Sequence, residues 1–137
     1  MLQEKFLKRI FYRQKEIAFI VKADYPIDSV AFFSPNEDFL QVGYHKKQSG
    51  DKLKAHYHQF KGHQINSLQE VLYIVRGKVR VDFYTKKGRK IQSEILEKGD
   101  ILFQRDLGHG FELLEDAEVF EVKQGPFFGQ EHKRFYK

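Results

Sequence analysis

Residues 79–95 decide the fold class: they contain VRVDF (79–83), YTKKGRK (84–90) and IQSEI (91–95). Apolar and polar residues alternate on both sides of the Lys87-Gly88 pair. Because successive side chains of a strand point to opposite faces, this alternation predicts two strands, each with one buried and one wet face. The glycine-containing turn between them predicts an antiparallel hairpin.

Similar patterns continue from Ile17 through most of the chain. Short runs rich in Val, Ile, Phe and Tyr recur every eight to twelve residues or so, with turn residues between them, as in all-β sandwiches and barrels. Helical periodicity does not alternate with these runs, so a parallel βαβ sheet with a nucleotide site is not expected. The predicted strands lie near 17–22, 29–33, 39–46, 53–57, 70–76, 79–85, 91–96, 100–104, 109–114 and 117–123.

The two ends of the chain differ from its middle. Leu2, Phe6 and Ile10 recur at helical spacing, which predicts either a short N-terminal helix or an arm lying extended against a sheet. The sequence contains no repeat, no linker and no long block of like charge. It therefore predicts a single domain over residues 1–137, with an N-terminal extension (1–16) and a charged C-terminal tail (125–137).

Composition restricts the class of protein and its chemistry. With 41% hydrophobic residues, 14 Phe and 7 Tyr, the chain is globular rather than disordered. The absence of cysteine excludes disulfides, a thiolate nucleophile and cysteine-ligated zinc or iron–sulfur sites, so any metal must bind His, Asp or Glu. Without a membrane-spanning run or a secretory signal, we expect a soluble, cytoplasmic protein with no membrane partner.

The chain has a modest excess of basic over acidic residues. A formal charge of +5 favours anionic partners in general. The cations are scattered along the chain, and the cluster at Lys86–Lys90 is typical of a solvated hairpin tip, so nucleic-acid binding is not expected. Motifs of serine hydrolases, phosphate-binding loops, HExxH zinc helices and calcium loops are all missing.

The candidate site lies in GDKLKAHYH (50–58) and EVLYIVRG (70–77). If residues 53–57 and those just after them form a strand, His56 and His58 project from the same face and their imidazoles converge. Glu70 opens the next predicted strand and could supply an oxygen ligand. Two imidazoles and a carboxylate suit Fe(II), Mn, Ni, Co or Zn and leave positions open for water or substrate.

This segment resembles the first motif of the cupin superfamily, in which a Gly, a His-x-His pair, a Glu and a second Gly follow in order. Gly50 to His58 matches the first half, and Glu70 to Gly77 matches the second. Eleven residues, Gln59–Gln69, separate the halves where the family usually has only a few. We predict that this inserted loop forms a mobile border of the pocket.

A looser match to the second cupin motif follows. Gly99-Asp100 is its expected start and His109 the third histidine, although Arg105 stands where the family usually has Pro. The resemblance covers residues 39–123 and implies an antiparallel jelly-roll barrel, also called a double-stranded β-helix. It also implies one divalent transition metal held by four ligands: His56, His58, Glu70 and His109.

Residues around the motifs are candidate substrate contacts. His45 shares a predicted strand face with Gln41, and His63 lies in the inserted loop, as a replacement ligand, a lid contact or a solvated side chain. Arg105 and Lys123 either bind an anionic group or are simply solvated, and Tyr44 either stacks on a sugar or fills the core. The candidate substrate-binding set is His45, His63, Tyr44, Arg105 and Lys123.

The resemblance implies a metal-dependent isomerase, epimerase or lyase acting on a small polar or anionic, sugar-like substrate in carbohydrate metabolism. Two alternatives remain open at this stage. An Fe(II) dioxygenase would use the same ligands, and a non-catalytic cupin would bind or sense a small ligand without changing it. The resemblance also favours a homodimer.

Overall fold

The computed structural model describes residues 2–129 and 133–136, and the regular secondary structure of these residues consists of ten β-strands and one short helix. The all-β prediction is confirmed. Within the described residues, no helix is long and apolar enough to cross a membrane. The elements are α1 (Leu2–Phe6), β1 (Leu7–Tyr12), β2 (Lys15–Val21), β3 (Val30–Phe32), β4 (Gly43–His45), β5 (Gln69–Arg76), β6 (Lys78–Tyr84), β7 (Lys90–Glu97), β8 (Ile101–Arg105), β9 (Gly108–Leu113) and β10 (Glu118–Lys123).

The strands pair into three antiparallel sheets. A five-stranded sheet has the order β1-β2-β8-β5-β10, a three-stranded sheet has the order β7-β6-β9, and β3 pairs with β4 alone. Among the described residues, none of the three sheets closes into a barrel.

The chain forms two compact units. Unit 1 contains the residues up to Tyr25 and those from Leu68 onward, and so holds the five-stranded and three-stranded sheets. Unit 2 is Pro26–Ser67 and holds the β3–β4 pair.

The two sheets of unit 1 share one hydrophobic core. Leu72, Ile74 and Leu102 come from the large sheet, whereas Val81 and Leu96 come from the small one, and all five are at most 6% exposed. Burial of such side chains is the main term that stabilises the fold. Unit 1 is therefore a two-layer sandwich whose inner faces carry the alternate residues of each strand.

The predicted hairpin at residues 79–95 is confirmed. β6 and β7 pair in register, with Val79 opposite Leu96 and Val81 opposite Glu94. Gly88 in the connecting turn has φ +90°, a left-handed conformation that glycine adopts without a steric cost. Its N–H donates to the Thr85 carbonyl at 2.9 Å.

The predicted strand at 53–57 is wrong, and the one at 39–46 is shortened to β4. From residue 46 to residue 68 the backbone has no regular structure. Leu53 and Tyr57, the apolar residues on which that prediction rested, are 72% and 82% exposed. A strand needs a neighbour to pair with and a face to bury, and these residues have no ladder partner in the described chain.

The N-terminal segment contains both predicted alternatives. The helix ends at Phe6, and the chain then continues as β1, which pairs with β2. Ile10 is 1% exposed and lies opposite Ala18, so it joins the core as a strand residue rather than as part of a helical stripe. Residues 7–12 form a strand rather than a continued helix because β2 offers their backbone groups hydrogen-bond partners.

Part of the predicted C-terminal tail packs against the rest of unit 1. The Tyr136 hydroxyl donates to the Thr85 carbonyl at 2.8 Å, and its ring lies 5.5 Å from that of Tyr84. A Cβ atom added to Gly108 would lie 1.9 Å from the Tyr136 oxygen. Gly108 therefore leaves the space that the tyrosine occupies, which explains why this position has no side chain.

Candidate functional site

Glu70 lies on the inner face of the large sheet. It is the second residue of β5, two positions before Leu72 and four before Ile74, so strand alternation points all three the same way. Glu70 is only 8% exposed. A carboxylate at the end of an apolar face is costly to bury unless other groups pair with it.

Gln104 supplies one such partner. It lies on β8 directly opposite Glu70, and its Nε2 donates to Glu70 Oε2 at 2.8 Å. The other end of the same amide is different: Gln104 Oε1 is buried and has no hydrogen-bond partner among the described residues. Buried acceptors are rarely left without a donor, so this oxygen is the unusual feature of the Gln104 side chain.

His109 approaches the same carboxylate from the small sheet. It lies on β9 opposite Phe83, and its Nε2 is 3.6 Å from Glu70 Oε2. The His109 side chain keeps 32% of its surface exposed, so the pair is reachable from solvent. Glu70, Gln104 and His109 are called the Glu70 cluster below.

The Glu70 cluster combines a proton-accepting carboxylate, a proton-exchanging imidazole and an amide with a vacant acceptor. A carboxylate and an imidazole that face each other can share or transfer a proton, or can bind one cation together. The two groups come from different sheets, and the common core holds those sheets in place. The geometry is therefore fixed by packing rather than by a loop.

Arg105 follows Gln104 on β8, and Lys123 lies on β10, the strand next to β5. Arg105 ends β8, and its Nη2 donates to Glu16 Oε1 at 3.1 Å, while its guanidinium lies 4.6 Å from the centre of the Phe103 ring. An anionic substrate would have to compete with Glu16 for that charge. Lys123 on β10 is directly opposite Glu70 in the sheet register.

In unit 2, His56 and His58 lie next to each other without the predicted strand. Their ring centroids are 5.0 Å apart, and the Nδ1 of His56 is 2.8 Å from the Lys54 carbonyl oxygen. The imidazoles are therefore neighbours, but irregular backbone places them and not strand alternation. Both residues are exposed.

The other predicted contacts of unit 2 have aromatic neighbours. The ring of His63 stacks on Phe39 at 5.6 Å, and the ring of His45, the last residue of β4, meets Phe32 edge-on at 5.9 Å. Tyr44 lies opposite Ala31 and is 37% exposed.

The four predicted metal ligands occur in two pairs, His56 with His58 and Glu70 with His109. Within residues 2–129 and 133–136, no three His, Asp or Glu side chains are grouped as an ion would require. Each pair has the chemistry that a divalent transition metal prefers, since imidazole nitrogen and carboxylate oxygen are its common ligands. The four-ligand site remains a prediction.

A second buried carboxylate, Asp82, belongs to the structure rather than to the candidate site. It accepts hydrogen bonds from the Ser93 hydroxyl and from two nitrogens of Arg80, and Lys90 Nζ lies 3.5 Å away. The Ser93 hydrogen bond, followed by Arg80 and Lys90, holds the pKa of Asp82 below its usual value. The hydrogen bonds that Arg80 donates to Asp82 raise the pKa of Arg80.

We expect Asp82→Asn to make the stability of the protein less sensitive to acid. A carboxyl whose pKa is lower in the folded state stabilises the fold above its unfolded pKa of about 3.9, and this contribution disappears as the pH falls through the folded value. The melting temperature should therefore fall less between pH 7 and pH 2 in the variant than in the parent. Thermal melts over this range measure the effect.

The matched control is Asp24→Asn. Asp24 is exposed, and its substitution removes the same formal charge as Asp82→Asn. This variant should keep the parent's acid sensitivity. Equal pH profiles for Asp82→Asn and the parent would show that Asp82 contributes nothing to the acid transition.

Sequence reasoning missed Gln104. The signal was present but weak: Gln104 alternates with Leu102, so a buried strand at 101–105 would point both side chains inward. Finding that Gln104 faces Glu70 requires knowledge of the sheet order. In that order β8 pairs with β5 rather than with its neighbours in sequence.

No family model matches this chain, and neither curated proteins nor solved structures contain a significant match.

Proposed function

We propose that the Glu70 cluster is the centre of a small-molecule site in a metal-binding, cupin-like enzyme of the isomerase, epimerase or lyase type. The substrate is a small polar or anionic, sugar-like molecule. The observation that carries this proposal is the buried carboxylate of Glu70, which meets His109 at 3.6 Å next to an amide oxygen with no donor in the described chain.

Stability alone does not account for this arrangement. A leucine at position 70 would extend the apolar face of Leu72 and Ile74 without the cost of burying a charge. A ligand hydroxyl would supply the donor that Gln104 Oε1 lacks. Polar groups retained at a cost to stability are typical of binding and catalytic sites.

The residues of the Glu70 cluster have different roles in this proposal. The Gln104 amide orients Glu70, as outer hydrogen bonds commonly orient metal ligands. His109 can hold or release a proton at Nε2, next to the position where a substrate would lie. A divalent ion on Glu70 and His109 would polarise a substrate carbonyl or hydroxyl.

The fold supports the cupin proposal in part. Unit 1 places eight strands, β1, β2 and β5–β10, in two sheets on one core, the strand number typical of a jelly roll. The homodimer belongs to the same proposal and is supported by Phe120 and Val122, which lie exposed on the outer face of the large sheet. Sedimentation equilibrium tests the dimer, and a monomer at all concentrations would contradict it.

We expect the protein, purified without an affinity tag, to carry about one divalent transition metal per chain. Elemental analysis measures this directly, and a metabolite screen with the loaded protein tests for turnover. Metal at background level, with no thermal stabilisation by added Fe(II), Mn, Ni, Co or Zn, would contradict the metal site.

A second candidate is a metal-free cupin that binds a small ligand without reaction. It is favoured by the Gln104 amide, which satisfies Glu70 Oε2 even when no ion is present. Saturable binding with no chemical change in the ligand would identify this function. Consumption of oxygen together with the substrate would instead identify the Fe(II) dioxygenase.

A further inference from the structure

A basic pocket of about 500 Å³ lies in unit 1 where two hairpin tips meet. The tip between β1 and β2 contributes Arg13, and the tip between β6 and β7 contributes three more cations. This volume is in the range of small-molecule sites. We call it the hairpin pocket, lined by Tyr12, Arg13, Thr85, Lys86, Lys87, Arg89 and Leu107.

The four cations of the hairpin pocket face no carboxylate. Its lining contains neither Asp nor Glu, and none of the four has an ion-pair partner in the part of the chain that the structure describes. The next cations along each hairpin differ: Lys15 pairs with Asp106 at 2.8 Å, and Lys90 lies 3.5 Å from Asp82. Positive charge is thus neutralised beside the pocket but not inside it.

The backbone that presents these cations is held rigidly on one side. Thr85 N–H donates to the Arg89 carbonyl at 2.9 Å, and the Arg89 N–H donates to the Thr85 hydroxyl oxygen at 3.1 Å. The turn that carries Lys86 and Lys87 is therefore closed at both ends by hydrogen bonds. A ligand that binds there pays little to order the backbone.

On the other side of the pocket, the turn between β1 and β2 is strained. Arg13 and Gln14 have φ of 50° and 65°, although this kind of two-residue turn normally uses Asn and Gly. The left-handed Arg13 keeps its guanidinium 5.2 Å from the centre of the Tyr12 ring, at the pocket wall. Strain of this kind is retained where a side chain has a function in that position.

From these observations we infer that the hairpin pocket binds a small phosphorylated ligand. A phosphate group carries close to two negative charges and three acceptor oxygens, which match several cations that line one pocket. A single carboxylate would leave most of the four charges unmatched. The Tyr12 ring and Leu107 offer an apolar surface for the rest of the molecule, and a volume of about 500 Å³ has the size of a small-molecule site.

The test compares two double variants that remove the same charge. Lys86→Gln with Lys87→Gln changes the pocket, and Lys52→Gln with Lys54→Gln changes exposed lysines of unit 2. Calorimetric titrations at constant ionic strength use inorganic phosphate, pyrophosphate and ribose 5-phosphate as probes. We expect the pocket variant to bind the best probe at least about tenfold more weakly, because it loses charge-assisted hydrogen bonds, and the control to match the parent.

A third variant tests the strained turn. Arg13→Asn with Gln14→Gly installs the preferred turn residues, so we expect an equal or higher melting temperature together with weaker binding of the same probe. A variant that has lost its fold would instead melt lower, so the two effects are separable.

Three results would overturn the inference. One is the absence of binding of all three probes at millimolar concentration. Another is equal weakening in the pocket and control variants, which would indicate attraction to net charge alone. The third is preferential binding of a single-stranded oligonucleotide, which would make the tips part of a nucleic-acid surface.

Discussion

Glu70→Gln is expected to lower the affinity of the protein for a divalent transition metal by at least about 10- to 100-fold, the loss known for groups that merely orient metal ligands. The carboxylate oxygen is a far better ligand for such a cation than a neutral amide, and its charge offsets that of the ion. Elemental analysis and metal titration of the variant measure the change, with any turnover expected to fall in parallel.

The fold should survive this substitution. Glutamine has nearly the shape of glutamate, and its Oε1 can still accept the hydrogen bond that Gln104 Nε2 donates to Glu70. The variant should therefore melt cooperatively with unchanged β-sheet content. Loss of metal from a folded protein would separate a ligand role from a structural one.

Glu118→Gln is the matched control. Glu118 also lies in a strand of the large sheet, but its side chain is 56% exposed and forms a surface ion pair with Arg76. Such pairs contribute little, so metal content and stability should both equal those of the parent. If Glu70→Gln binds metal as tightly as this control, Glu70 is not a ligand and the metal proposal loses its central residue.

The sequence predicted well those parts of the fold that depend on local alternation. Val79, Val81 and Phe83 alternate with polar residues, and they form β6 with all three side chains in the core. The period of a half-buried strand is a property of the chain itself, so it is visible without a structure. For the same reason, the sequence predicts that Glu70 and His109 lie on strands.

The prediction failed where a strand needed a partner that the sequence does not reveal. Leu53, Tyr57 and the histidines between and after them alternate as a strand would, yet the backbone there is irregular and the side chains are exposed. Alternation is necessary for a half-buried strand but does not supply a neighbouring ladder. The predicted convergence of His56 and His58 therefore lost its structural basis, although their rings remain neighbours.

The site features that sequence missed all depend on contacts between distant segments. Gln104 meets Glu70 because β8 lies between β2 and β5, and Arg13 and Lys86 line the same pocket because two hairpin tips end there. The sequence predicts a solvated tip at Lys86–Lys90, and the charged residues of this tip are exposed. Their own stretch gives no sign that three of these cations line a pocket. Charge patterns along a chain show the composition of a surface but not its shape.

Leu102→Ala is expected to lower the free energy of unfolding by about 2–5 kcal/mol, the range for truncating a fully buried leucine. Leu102 is 0% exposed and lies on β8 between its two register partners, Ile20 of β2 and Leu72 of β5. The substitution removes apolar contacts to both and leaves a cavity that the paired strands cannot easily collapse. Denaturant titration measures the loss.

Leu113→Ala is the control, because Leu113 is 61% exposed on β9 and its truncation should change stability by no more than about 0.5 kcal/mol. The comparison also bears on the site, since Gln104 is two residues from Leu102 on the same face of β8. A packed β8 holds that amide against Glu70, so the Leu102 variant should lose metal affinity together with stability, whereas Glu70→Gln should lose affinity alone. A Leu102→Ala cost as small as that of the control would mean that β8 is not the centre of the large sheet, and the register that joins Gln104 to Glu70 would fail with it.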